Sequence, residues 1–241
     1  MYPFMRAVLF VAAIAALSPA HAEDTYPAII ASAEEATLSA QMLGRIQTLN
    51  ATLGATFAKG DVLVAFDCAE REAQLSATRA DAMGARETHL AKLRLEGLGA
   101  AGELEVTTAA AAAAKAQAQV ALIESQMSYC TIRAPFPGRV ARLRAKAAET
   151  VNPGQALIEI VNPEVLKATI NAPASALRSL QVGTRVWLRA PSGRRYEAEV
   201  SRINARIDGV SQTIEVEASV ASAPGLVPGI VLEARFAPAQ R

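Results

Sequence analysis

Residues Ala40–Phe66 and Ala134–Ile160 of this 241-residue chain are two copies of one pattern, offset by 94 positions without a gap. Ala40, Gly44, Arg45, Leu49, Ala51, Gly60 and Leu63 meet identical residues at Ala134, Gly138, Arg139, Leu143, Ala145, Gly154 and Leu157. Ile46 with Val140, Val64 with Ile158 and Phe66 with Ile160 are conservative pairs. Each copy alternates short apolar runs with glycine turns, the pattern of small β-hairpins. Gly44, Gly60, Gly138 and Gly154 are expected at turns with φ > 0, a conformation glycine adopts without steric cost. A copy of 27 residues is too short to bury a core of its own. The two copies are therefore expected to pack on each other as one flattened β-sandwich.

Between the copies, Cys68–Ser128 contains no proline and is dense in Ala, Glu, Arg, Gln and Leu, all good helix formers. Its glycine cluster, Gly97, Gly99 and Gly102, marks a turn near the middle. Two antiparallel helices of under thirty residues each are expected, about 40 Å long. The second carries a stripe at 3–4 spacing: Val106, Ala109, Ala113, Ala116, Val120, Ile123, Met127 and Cys130. That is a coiled-coil seam whose small residues admit a close partner helix. The first helix is less regular, with Leu75, Ala82, Leu90, Leu93 and Leu95 as its main apolar positions, and His89 on the same face as Ala82.

Cys68 enters this hairpin and Cys130 leaves it, so antiparallel helices bring them together. The start of the chain bears on their redox state. Arg6, the apolar run Ala7–Leu17, Pro19 and Ala20-His21-Ala22 read as an export signal, residues 1–22. The run is shorter than the ~20 residues that cross a bilayer, and a cleaved signal is preferred over a retained anchor. An oxidising compartment follows, and with it a Cys68–Cys130 disulfide, the alternative being two free buried thiols.

After Pro163 the pattern changes again. Val165–Asn171, Arg185–Arg189, Tyr196–Ile203, Ile214–Val220 and Ile230–Phe236 read as strands, and Ala174–Leu180 as a short helix. Strands at this spacing predict a small antiparallel barrel over residues 163–237. Arg185, Arg189, Arg194, Arg195, Arg202 and Arg206 interleave with Glu197, Glu199, Glu215 and Glu217, which predicts a solvated, salt-bridged face rather than an anion site.

The order of these parts resembles the periplasmic adaptor subunits of efflux pumps, the membrane-fusion proteins of haemolysin-D-like and resistance-nodulation-division type. The residues carrying the resemblance are Gly60-Asp61, Leu63, Phe66-Asp67, then Tyr129 and Thr131-Ile132-Arg133-Ala134-Pro135-Phe136 with Gly138. Val151, Gly154, Leu180, Val182-Gly183 and Val227-Pro228-Gly229 extend it. It implies a mixed α and β, elongated fold. Residues 36–67 plus 129–161 would form a lipoyl-like β-sandwich, 68–128 a coiled-coil hairpin, and 163–237 the barrel. It also implies a non-catalytic, homo-oligomeric adaptor in the periplasm, between an inner-membrane transporter and an outer-membrane channel. Hairpin-tip contacts would fall on Lys92, Arg94, Leu95, Leu98, Gly102 and Glu105. Two departures stand out. Ala91, Gly102 and Thr107 occupy places where the family often has Arg, Ser and Asp. The strips for a fourth, membrane-proximal domain are missing, which would move transporter contact onto the barrel.

Other functions are disfavoured. With 24 Lys+Arg against 23 Asp+Glu, no net field gathers nucleic acid. Beyond the signal, His89 is the sole histidine, so catalytic, cofactor and metal sites are expected to be absent. A lipoate or biotin carrier needs a lysine in a tight turn between the copies, where this chain has its helical insertion. A stand-alone periplasmic scaffold, outside any pump, is the remaining alternative.

Overall fold

The computed structural model describes residues 25–178, 180–221 and 225–237; the export signal lies outside the described residues. The first strand is β1 (Tyr26–Ser32). The first copy follows as β2 (Glu35–Ser39), β3 (Gly44–Leu49), β4 (Thr56–Phe57) and β5 (Val62–Phe66). Helices α1 (Ala69–Gly97) and α2 (Glu103–Met127) come next. The second copy supplies β6 (Thr131–Arg133), β7 (Gly138–Leu143), β8 (Thr150–Val151) and β9 (Ala156–Val161).

β3, β4 and β5 begin 94 residues before β7, β8 and β9, so the repeat in sequence is a repeat in structure. The eight strands form two antiparallel four-stranded sheets, ordered β2-β9-β7-β4 and β6-β5-β3-β8. Advancing the first copy by 94 residues exchanges the two sheets. Each sheet takes its central pair from one copy and both edges from the other, so neither copy can complete a sheet alone. Equivalent side chains share one core: Ile46 with Val140, Leu63 with Leu157, Val64 with Ile158 and Phe66 with Ile160 are all buried.

Two of the four repeat glycines meet the expectation of a left-handed turn: Gly60 (φ +89°) and Gly154 (φ +83°). Gly44 and Gly138 correct it. They are the first residues of β3 and β7, where φ is not positive. At Gly138 the requirement is space, because a Cβ would lie inside van der Waals contact with the Val161 carbonyl and 3.3 Å from Phe57 Cζ.

Beyond the sandwich run β10 (Leu166–Pro173), β11 (Arg185–Arg189), β12 (Arg195–Ile207), β13 (Thr213–Val220) and β14 (Val231–Phe236), with a single 3₁₀ turn at Ala174–Arg178. They form a closed six-stranded antiparallel barrel, ordered β1-β10-β13-β12-β11-β14. The barrel span expected from sequence, 163–237, lacks its sixth strand. β1 closes the gap, pairing Ile29 with Thr169 of β10 on one side and with Val231 of β14 on the other. Its strand signal is weak, since Pro27 cannot donate and Ile29-Ile30 breaks the alternation. Only the long-range pairing shows that Ala28, Ile30 and Ser32 face inward. Ile170, Val186, Leu188, Val216 and Leu232 complete the interior.

Barrel and sandwich are joined by two adjacent chain segments, one after β1 and one before β10. Here lie the buried polar side chains Ser32 and Asn162. Ser32 Oγ is 2.7 Å from the carbonyls of Glu34 and Asn162, and Asn162 Nδ2 donates to Glu34 Oε2 at 2.7 Å. Burying these groups is tolerable because each is hydrogen-bonded.

The helices pair antiparallel, as Arg71 with Gln126, Arg79 with Glu124 and Lys92 with Glu105 show. All eight stripe positions of α2 and the following turn are buried or half-buried. On α1 the inward positions are Arg71, Leu75, Thr78, Ala82, Ala85, His89, Leu90, Lys92 and Glu96. Leu93 and Leu95 were expected among its apolar positions but are each 40% exposed. Residue spacing, not hydrophobicity, sets this face: α1 keeps the 3–4 rhythm through polar and apolar residues alike. At the base a disulfide joins Cys68 to Cys130, with Cα atoms 6.1 Å apart.

Candidate functional site

The hairpin tip is built by its caps. Gly99, at φ +70°, ends α1, with its N–H donating to the Glu96 carbonyl at 2.8 Å and that of Ala100 to Leu95 at 2.8 Å. These are the two bonds of a Schellman motif, which needs a left-handed residue and so selects glycine. Gly102 caps α2 in extended conformation, and Glu103 and Glu105 place negative charge at its N-terminus.

The six tip residues read from sequence separate into two groups. Lys92 Nζ and Glu105 Oε2 are 2.6 Å apart, so these two bind the helices to each other. Arg94 and Leu95 face solvent, and Gly102 shapes the backbone. Leu98 is 80% exposed at the very turn, and Leu104, which sequence reasoning missed, is 79% exposed beside it. The signal for Leu104 was available: it lies two residues before Val106, outside the 3–4 stripe, and must point away from α1. Among the described residues nothing covers these two leucines, which make the end of the hairpin apolar.

The barrel wall carries the second charged feature. Lys167 Nζ lies 2.6 Å from Glu217 Oε1, and Arg202 Nε lies 3.3 Å from Glu217 Oε2. The Lys167 hydrogen bond, with further attraction from both cations, holds the Glu217 carboxyl below its ordinary value despite partial burial. A depressed carboxylate stabilises the fold above its unfolded-state pKa and loses that contribution as pH falls through the folded one. Glu217→Gln is therefore expected to cost about 0.5–1 kcal/mol at neutral pH. The difference from the parent should begin to shrink as pH falls below the ordinary glutamate value of about 4.3. It should be gone once pH is below the lowered folded value, as thermal melts across a pH series would read.

Among the described residues no group of three or more His, Cys, Asp or Glu side chains could hold a metal ion. No helix of the described chain is long and apolar enough to cross a membrane.

This architecture occurs in solved structures. A chimera of MacA carrying the Pseudomonas aeruginosa MexA α-hairpin domain superposes with a TM-score of 0.80 at 21% identity, covering 89% of this chain and 80% of that one. The membrane fusion protein Spr0693 of Streptococcus pneumoniae gives 0.75 at 16% identity, covering 90% of this chain and 100% of that one. The chain has the membrane-fusion protein fold. MacA of Actinobacillus actinomycetemcomitans shares this fold with a TM-score of 0.66 at 18% identity, covering 89% of this chain and 78% of that one.

In sequence the chain is 28% identical to the nodulation protein NolF of Rhizobium meliloti, across 80% of this chain and 57% of that protein. It is 23% identical to an uncharacterized protein of Haemophilus influenzae, across 76% and 49%. The chain thus spans about half the length of these curated relatives. No family model matches the sequence.

Proposed function

We propose that this chain is a periplasmic adaptor that links an inner-membrane efflux transporter to an outer-membrane channel and performs no chemistry itself. The observation that carries the reading is the combination of an interlocked two-copy sandwich, a helical hairpin ending in exposed Leu98 and Leu104, and a closed barrel at the other end of the sandwich. In these terms residues 36–67 with 129–161 are the lipoyl-like domain, 68–128 the coiled-coil hairpin and 163–237, completed by β1, the barrel. Residues 1–22 deliver the chain to the periplasm, where Cys68 and Cys130 can be joined. Adaptor copies assemble side by side around the transporter, no nucleic acid takes part, and the exported compound is chosen by the transporter.

The tip docks through its leucines and Arg94, because Lys92 and Glu105 are committed to each other. Photo-crosslinkers at Leu98 in the tip and at Val210, 97% exposed at the β12–β13 turn of the barrel, test this in cells. The expected result is an outer-membrane channel adduct from the first and a transporter adduct from the second. Leu104→Asp should reduce the tip adduct at least about ten-fold, a loss of some 1.4 kcal/mol, and leave the barrel adduct unchanged. A chain that labels neither partner is a stand-alone periplasmic scaffold.

A further inference from the structure

On the outer wall of the barrel, strands β12, β11 and β14 set side chains in cross-strand rows. One row is Arg195, Arg189 and Glu233; the next is Glu197, Trp187 and Arg235. Arg189 and Arg195 face each other directly, and like charges directly opposed across a sheet destabilise it. Elsewhere this wall neutralises its cations: Arg185 is paired with Glu197, and Lys167 and Arg202 with Glu217. Among the described residues neither Arg189 nor Arg195 forms an ion pair. Both line an open concavity of about 390 Å³ together with Arg235, Trp187, Phe236 and a single carboxylate, Glu233. Trp187, the one tryptophan of the chain, is 44% exposed, and beyond Glu233 the paired Ile29 and Val231 are 49% and 54% exposed.

A planar guanidinium fork matches a phosphate oxyanion. An indole ring exposed beside a row of guanidinium groups suits the boundary between headgroup and acyl chain. We propose that this face is a docking surface for anionic phospholipid. Arg189 and Arg195 would receive headgroup phosphates, and Trp187, in the next row, would sit at the glycerol level. An anionic surface supplies the counter-charge that the opposed arginines lack, each basic residue gaining favourable energy there. The inference is independent of the adaptor reading, since it concerns a bilayer and neither a transporter nor a channel.

Because Trp187 is the only tryptophan, its emission reports this face alone. The purified chain is titrated with phosphatidylglycerol–phosphatidylcholine vesicles, with pure phosphatidylcholine vesicles, and with inorganic phosphate alone. The expected result is a blue shift on the anionic vesicles only, reversed by added salt. The double variant Arg189→Gln/Arg195→Gln should bind at least five-fold more weakly, with a melting temperature equal to or above that of the parent because the like-charge pair is gone. An equal shift on neutral vesicles, an equal response to inorganic phosphate, no shift at all, or unchanged binding by the folded double variant would each overturn the proposal.

Discussion

Gly138→Ala is expected to destabilise the protein by about 3 kcal/mol, at the top of the range for overpacking a tight site. Its repeat partner, Gly44→Ala, should change stability by less than about 0.5 kcal/mol. The two positions are 94 residues apart in the repeat and begin equivalent strands. At Gly138 the added methyl meets backbone, the Val161 carbonyl, with Phe57 Cζ also at 3.3 Å. Backbone in a paired strand cannot step aside, and Val161 is itself in register with Arg139 and Glu35. At Gly44 the nearest atom is Met42 Cε at 3.1 Å, the far end of a flexible side chain that can rotate away. Removing glycine also restricts the unfolded chain, which favours the variant slightly at both sites. Urea unfolding of the two variants reads the difference as a shift in midpoint at unchanged slope. Equal losses at the two positions would mean that the approach of Val161 is not what requires glycine at Gly138.

That asymmetry marks where the sequence stops being informative. The repeat announces the sandwich because identical residues 94 apart must occupy equivalent places, and the spacing of Val106 through Cys130 announces which side of α2 meets α1. Closure of the barrel is not announced. β1 has neither clean alternation nor a local partner, and its place depends on pairing with strands some 140 and 200 residues away. Part of the polar seam of α1 was hidden for a similar reason: His89 was legible beside Ala82, but Arg71 and Lys92 face inward because Gln126 and Glu105 of α2 stand opposite them. At the tip, the family resemblance implied that Lys92 and Glu105 would reach outward, but an oppositely charged neighbour across the turn is the nearer partner. The arginines of the barrel wall were legible as a group. Which of them lack a carboxylate depends on cross-strand register, and that only the fold reveals.

Removing the disulfide, by reduction or as Cys68→Ala/Cys130→Ala, is expected to cost up to about 4 kcal/mol, the loop-closure value for two residues 62 apart. The figure is an upper bound for the crosslink itself, because the unfolded hairpin retains some helix; the alanine pair adds to it the loss of packing against Met127 in the sandwich core. The location of the damage is more telling than its size. Neither cysteine lies in a strand, so both sheets keep their ladders. The seam between the helices, by contrast, is thin: α1 offers mostly polar side chains, and the buried residues of the two helices are Ala82, Val106, Val120 and Ile123. A seam that weak depends on the covalent link for its alignment at the base. Hydrogen exchange should therefore rise in Ala69–Leu75 and Gln126–Thr131, remain near the parent's in β3 and β7, and change little at Gly97–Gly102, where the Schellman bonds are local. Uniformly faster exchange across the sandwich would show that the bond supports the sheets instead, and an unchanged unfolding midpoint would show that the seam aligns itself. The intermediate outcome, a hairpin that stays helical but pivots on an intact sandwich, is the one that links this bond to function, because a tip that swings cannot hold Leu98 and Leu104 against a partner.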